Sequence, residues 1–235
     1  MMDGIVEQCI PLGGFLPCTM VDYPSHISSM LFTSGCNMKC HYCHNSALII
    51  CRSCTVKDKE KWDEMIAYLL RHQKMIDAVV VSGGEPTIHA DLPMMILKIK
   101  SMGFKVKLDT NGTNPVMVER LIKEKQIDYV AMDIKAPLVW ERYREIVGKQ
   151  FTQEQMDGVI KTISILRHYD VEHEFRTTLS PRLSKEDIWA MMSAIHGKYW
   201  LQPLDGDMDS CGFLFDEKEV ELAKSRYHVD LQYRT

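Results

Sequence analysis

Two hydrophobic periodicities alternate along the chain. Short runs rich in aliphatic and β-branched residues, at Ile27–Thr33, Asp77–Ser82, Phe104–Thr110, Ile127–Lys135, Val171–Leu179 and Lys198–Leu204, carry the alternating or continuous apolar pattern of strands. Amphipathic stretches near Lys59–Gln73, Leu92–Met102, Pro115–Lys125, Thr152–Tyr169, Lys185–Ile195 and Glu217–Ser225 follow them with helical spacing. Repeated strand–helix units predict a parallel sheet covered by helices. Six units of ~30 residues use about 180 residues, too few for a complete eight-unit barrel. The expected fold class is therefore α/β: an incomplete (β/α)6 barrel of parallel strands with helices outside, or an open sheet. Both place ligands at the carboxyl ends of the strands. With no fixed-period repeat, low-complexity tract or Gly/Ser linker, a single domain over residues 1–235 is expected, its core about 25–205.

Strand parity refines this picture. In Ile127–Lys135, Val130, Met132 and Ile134 share one face, whereas Tyr129, Ala131, Asp133 and Lys135 share the other. In the preceding run Phe104, Val106 and Leu108 oppose Lys105, Lys107, Asp109 and Asn111. If helices cover the apolar faces, the charged faces turn inward or toward a cleft. An unpaired buried Asp or Lys is too costly, so these faces predict either a polar ligand or mutual pairing.

Composition excludes some functions. Lys plus Arg number 28 against 32 Asp plus Glu, a formal net charge of -4, so there is no basic field to gather nucleic-acid phosphates. No apolar run is long enough to span a bilayer, and Met1–Glu7 lacks the features of a signal peptide. A cytoplasmic protein without membrane or nucleic-acid partners is expected. In a reducing compartment the eight cysteines point to metal binding or catalysis rather than to disulfides.

Three of them stand in the run Cys36-Asn37-Met38-Lys39-Cys40-His41-Tyr42-Cys43, a C-x3-C-x2-C spacing directly after the first expected strand. Chance is a poor explanation for that triple spacing. Three thiolates on one loop can hold three corners of a cubane iron–sulfur cluster and leave the fourth iron without a protein ligand. Such an open position distinguishes catalytic from structural metal sites. Zinc is the alternative, with Cys51 and Cys54 as the second pair. Plain thiols are the expectation at Cys9, Cys18, Cys51, Cys54 and Cys211.

This cysteine run, with Tyr42 before its third cysteine, resembles the radical S-adenosylmethionine (SAM) superfamily. Val79-Val80-Val81-Ser82-Gly83-Gly84-Glu85-Pro86 supports the resemblance, because glycines let a backbone approach a ligand closely. The resemblance implies cluster ligation by Cys36, Cys40 and Cys43, and binding of the SAM amino group by the turn Gly83, Gly84 and Glu85. Leu108-Asp109-Thr110-Asn111-Gly112 and Met132-Asp133-Ile134-Lys135 are similar to strand ends of glycyl-radical-enzyme activases. There such positions contribute to the SAM pocket, so Asp109, Asn111, Asp133 and Lys135 join the candidates, and in some of these activases the two Asp positions help bind a monovalent cation. A helix cap or a surface salt bridge is the plainer reading of either Asp. Pro11–Phe15 and Val21–Pro24 resemble activating proteins of anaerobic ribonucleoside-triphosphate reductase, with Ser25 where that group often has Gly.

The resemblance implies reductive cleavage of SAM by a [4Fe–4S] cluster, giving a 5′-deoxyadenosyl radical that abstracts hydrogen from a partner enzyme's glycine. A flavodoxin or ferredoxin-type protein would supply the electron. Arg176, on the face shared by Glu174 and Thr178, is the candidate for the SAM carboxylate, because guanidinium grips carboxylate bidentately. Its alternative is an ion pair with Glu172 or Glu174. Tyr42 is expected near adenine, and Gln202 near adenine or ribose. Two other functions fit the residues: a compact small-molecule radical SAM enzyme such as a 7-carboxy-7-deazaguanine synthase, and a non-catalytic zinc or electron-transfer module.

Overall fold

The computed structural model describes residues 9–204 and 214–233. Cys211 and the segment Met1–Glu7 lie outside them. In chain order the elements are β1 (Leu12–Thr19), β2 (Ser28–Thr33), α1 (Val56–Arg71), β3 (Ala78–Gly83), α2 (Leu92–Ser101), β4 (Lys105–Thr110), α3 (Pro115–Lys123), β5 (Tyr129–Asp133), α4 (Trp140–Val147), α5 (Gln153–His168), β6 (Glu172–Leu179), α6 (Lys185–Met192), β7 (Gly197–Pro203), α7 (Glu217–Tyr227) and β8 (Val229–Tyr233). The described residues group into two compact units, one drawn from within Met1–Asn37, Asn45–Asp109 and Arg120–Tyr129, the other from within Met38–His44, Thr110–Glu119 and Val130–Thr235.

In the first unit β2 pairs parallel to β3, with Ser28 opposite Ala78 and Thr33 opposite Gly83, and β3 pairs parallel to β4. Val79, Val80 and Val81 are fully buried on both faces, the pattern of a central parallel strand. Each such side chain stabilises the fold by about 1.5–3 kcal/mol relative to exposure. Tyr23, Met30, Ala78, Val80 and Tyr129 form a core cluster under this sheet. β1 pairs antiparallel to β2 with two breaks in register.

In the second unit β6 pairs parallel to β7, with Phe175 opposite Tyr199, and β7 pairs parallel to β8. The chain after β5 joins the ladder through the Ile134 N–H, which donates to the Arg176 carbonyl at 2.8 Å. α5 begins at a capping box on Thr152 and Gln155 and buries Met156, Val159, Ile163 and Leu166. Tyr143 of α4 stacks on Phe151 with ring centroids 5.0 Å apart.

The expected α/β class, parallel strands with helices between them, is present, but the strands number eight rather than six among the described residues. β1 escaped the sequence reading because Gly13, Gly14 and Pro17 break its pattern, which an irregular edge strand tolerates. α4 buries Tyr143, Ile146 and Val147, a helical triplet legible in the sequence but short. β8 alternates buried Val229 and Leu231 over only five residues.

Residues 51–58 hold the chain ahead of α1. The Arg52 guanidinium donates to both carboxylate oxygens of Asp58 at 2.6 and 2.7 Å, and to the Leu12 carbonyl at 3.1 Å. Asp58 also accepts from the Leu12 N–H at 2.9 Å and completes a capping box with Thr55. These bonds draw the 51–55 loop onto the start of β1, and Cys54 is joined there to Cys9 in a disulfide. This corrects the expectation of plain thiols at Cys9 and Cys54: the two are distant in sequence, and the Arg52–Asp58 network brings them together.

Hydrogen bonds from Arg52 hold the Asp58 carboxyl well below the ordinary carboxylate range, although burial works against its charge. A carboxyl depressed in the folded state stabilises the fold fully above the unfolded pKa, near pH 4, and that contribution falls away as pH drops below it. Asp58→Asn is expected to lower stability at pH 7 by about 2 kcal/mol. Urea denaturation at pH 7 and pH 3 checks this, and the difference between the two proteins should narrow at pH 3.

Candidate active site

The first unit carries Cys36, Gly83, Gly84, Glu85 and Asp109. β2 ends at Thr33, and the following backbone is fixed on both sides: the Gly35 N–H donates to the Leu48 carbonyl at 2.7 Å and the Cys36 N–H to the Ile49 carbonyl at 3.1 Å. From the other side the Gly84 N–H donates to the Thr33 carbonyl at 2.9 Å and the Glu85 N–H to the Gly35 carbonyl at 2.8 Å. That approach needs glycine. Gly83 has φ +113°, and a Cβ there would overlap the Thr33 backbone; a Cβ on Gly84 would overlap the Gly35 carbonyl. The turn thus orders the segment that presents Cys36. The Glu85 carboxylate is buried and accepts from the Thr87 N–H at 3.1 Å and the Thr87 hydroxyl at 2.6 Å. Cys51 lies against the same segment, its Sγ 3.8 Å from the Cys36 carbonyl.

The second unit carries Cys40, Tyr42, Cys43, Asn111, Asp133, Lys135 and Arg176. The Cys43 N–H donates to the Cys40 carbonyl at 3.2 Å, so the C-x2-C segment is a turn. Two contacts tie it down: the Lys39 N–H donates to the Val147 carbonyl at 2.8 Å, and His41 bridges α4 and the end of β6. His41 Nδ1 faces the Ile146 carbonyl at 3.3 Å and its Nε2 faces Ser180 Oγ at 3.1 Å. A carbonyl only accepts, so Nδ1 carries hydrogen there. The partners of His41 lie over a hundred residues away, beyond the reach of any spacing argument. Asn111 Oδ1 accepts from the Thr113 N–H at 3.0 Å and hydroxyl at 2.7 Å, which shapes the turn after β4.

The charged strand faces pair internally. In the first unit Lys107 Nζ stands 3.0 Å from Asp109 Oδ1, and Ser82 Oγ donates to Asp109 Oδ2 at 3.0 Å. In the second, Asp133 accepts from Lys135 Nζ at 2.9 Å and from Arg176 Nε at 2.9 Å. Arg176 thus pairs with Asp133, a partner not among the two glutamates weighed for it. Burial works against the Asp133 charge, but Arg176 and then Lys135 hold its carboxyl well below the ordinary range. Burial likewise opposes the Lys135 charge, and Asp133 keeps its ammonium protonated well above its ordinary range. Burial pushes the Cys40 thiol up, and Lys135 acts against that rise. Tyr42 is buried, and its hydroxyl has no hydrogen-bond partner among the described residues. Gln202 stands on β7 opposite Thr178 of β6.

The family model of the radical SAM superfamily matches residues 30–195, which include every one of these positions except Gln202. The chain belongs to the radical SAM superfamily. Among similar proteins, one of Methanocaldococcus jannaschii, provisionally named a glycyl-radical enzyme activating enzyme, is 37% identical over 178 residues, 75% of this chain and 71% of its own. A 7-carboxy-7-deazaguanine synthase of Aquifex aeolicus is 26% identical over 130 residues, covering 51% of this chain and 56% of that one. Streptococcus suis SuiB bound to S-adenosylmethionine superposes with a TM-score of 0.60 at 15% identity, over 85% of this chain and 48% of SuiB. This chain thus spans about half the length of each of the last two. The likeness to SuiB shows the fold expected, an α/β arrangement of mostly parallel strands in an incomplete barrel.

A radical SAM enzyme is implied to hold a [4Fe–4S] cluster and SAM, and the residues fit both. Three thiols at C-x3-C-x2-C spacing are a donor set for a cluster with one open iron. The unpartnered Tyr42 hydroxyl is a buried polar atom suited to a ligand, whereas Gly83 and Gly84 pack against the chain's own backbone at Thr33 and Gly35. Gly84→Ala is expected to displace the 34–36 segment by forcing apart two backbones. Iron retention after anaerobic reconstitution should fall to less than half of wild type, and SAM affinity about tenfold, by iron assay and equilibrium dialysis.

Proposed function

We propose that this chain is a single-domain radical SAM activase that installs a glycyl radical on a partner enzyme, an anaerobic ribonucleotide reductase. The observation that carries the reading is the likeness to the Methanocaldococcus jannaschii protein, which extends over most of both chains. Pro11–Phe15 and Val21–Pro24 support the choice of reductase. In this reading Cys36, Cys40 and Cys43 ligate the cluster, and Gly83, Gly84 and Glu85 receive the SAM amino group. Asp109, Asn111, Asp133, Lys135 and Arg176 line the pocket and Tyr42 packs near adenine.

A [4Fe–4S] cluster held by Cys36, Cys40 and Cys43, and reduced by a flavodoxin or ferredoxin-type protein, would supply the electron for reductive cleavage of SAM, with the partner's glycine as the hydrogen donor. The chain's own residues bind, orient and exclude. Backbone bonds from Gly84 and Glu85 to Thr33 and Gly35 keep the Cys36 segment in one position. Lys39 and His41 anchor the turn that bears Cys40 and Cys43. Asp133 pairs with both Arg176 and Lys135 and fixes their orientation, and in this reading the two cationic side chains face the SAM carboxylate. The likeness to the deazaguanine synthase supports a second reading, a radical SAM enzyme acting on a small molecule.

Electron paramagnetic resonance of the dithionite-reduced protein is expected to show a cluster signal that changes on adding SAM. With anaerobic reductase present, a glycine-centred radical should appear on the reductase; SAM cleavage without that radical would favour the small-molecule reading. Cys36→Ala, Cys40→Ala and Cys43→Ala should each lower 5′-deoxyadenosine formation at least about 100-fold, together with iron content. Cys18→Ala, at an exposed thiol, should change neither.

A further inference from the structure

We propose that Lys107 is the resident cation of Asp109, its ammonium meeting the carboxylate that in some of the activases this chain resembles helps bind a monovalent metal ion. Residues two apart on a strand lie on one face, about 6.6 Å apart along it. A lysine stem spans that distance, and Lys107 uses it to bring Nζ within 3.0 Å of Asp109 Oδ1. The ammonium has a second oxygen ligand, the Asp22 carbonyl at 2.6 Å, and stands 5.9 Å from the centroid of the Tyr129 ring. A carboxylate oxygen, a carbonyl oxygen and an aromatic face form the kind of shell that an alkali cation takes from a protein.

The shell is a built one. Lys107 is fully buried and the Asp109 side chain is 9% exposed. Asp22 is held in turn, its carboxylate accepting from the Thr19 hydroxyl at 2.6 Å, and Ser82 fixes the second oxygen of Asp109. An alkali ion entering this shell would stand beside a buried positive charge without water to screen it, an arrangement that like-charge repulsion opposes. The second aspartate of the resemblance, Asp133, likewise has its counter-charges from Lys135 and Arg176. The enzyme is therefore indifferent to the monovalent cation supplied.

The assignment rests on the radical SAM activase reading for its consequence in SAM binding, but cation occupancy is measurable separately. The reconstituted holoenzyme is exchanged into potassium, sodium or tetramethylammonium chloride at equal ionic strength. SAM affinity is measured by equilibrium dialysis, and thallium(I) binding by thallium-205 magnetic resonance. The expected result is a SAM affinity equal within about twofold in the three salts and no thallium binding that Asp109→Asn removes. A tenfold gain in potassium, or thallium binding lost in Asp109→Asn, overturns the proposal. Lys107→Met should acquire what the wild type lacks: SAM affinity weakened about tenfold in tetramethylammonium and restored by potassium, with thallium bound. A folded Lys107→Met protein indifferent to all three salts also overturns it; if that variant does not fold, the wild-type titration decides alone. Loss of SAM binding in every salt would tell against the activase reading, whereas the thallium result reads the cation assignment whichever substrate the enzyme takes.

Discussion

A charge inside a β-sheet must meet an opposite charge or give up its ionisation, and that requirement shapes the interior strand ends of this protein. Lys107 and Asp109 satisfy it within β4, and Asp133, Lys135 and Arg176 satisfy it between the end of β5, the residue pair after it and β6. Replacing such groups with apolar ones of equal volume is often neutral or stabilising, so packing alone does not explain them. Within each unit the paired charges fix one another in place, with little left to reorganise.

Backbone contact does the corresponding work for the cysteines. The Gly83–Gly84 turn lies so close to Thr33 and Gly35 that no side chain fits between them, and two N–H groups from the turn bond across the gap. The result is a Cys36 segment held by hydrogen bonds on both flanks. Cys40 and Cys43 lie on a turn held by α4 and by Ser180 at the end of β6. The groups that hold the three cysteines in place come from elements far apart in the chain.

The seven cysteines among the described residues divide by environment. The three in the C-x3-C-x2-C run are partly exposed on turns; Cys9 and Cys54 are bonded to each other beside Arg52 and Asp58; Cys51 packs on Gly35; Cys18 is exposed on an edge strand. Compartment-level reasoning treated the last four alike as thiols. Their fates differ because local hydrogen-bond networks, not composition, decide which sulfur atoms meet.

Much was legible in the chain itself. Periodicity placed six strands and six helices to within a few residues, because burial on a sheet or a helix writes its period directly into the sequence. The cysteine run and the Gly-Gly-Glu turn stand out in the sequence because each is a short contiguous pattern, although contacts that hold them come from residues about fifty to a hundred and forty positions away. Strand parity also foretold that the faces bearing Asp109 and Asp133 would need pairing. Tertiary structure decided the partners. Arg176 met Asp133, Lys107 found the Asp22 carbonyl 85 residues away, and His41 found Ser180 139 residues away. A sequence states that a buried charge needs a counter-charge; which one it meets depends on chain segments that only folding brings within hydrogen-bond reach.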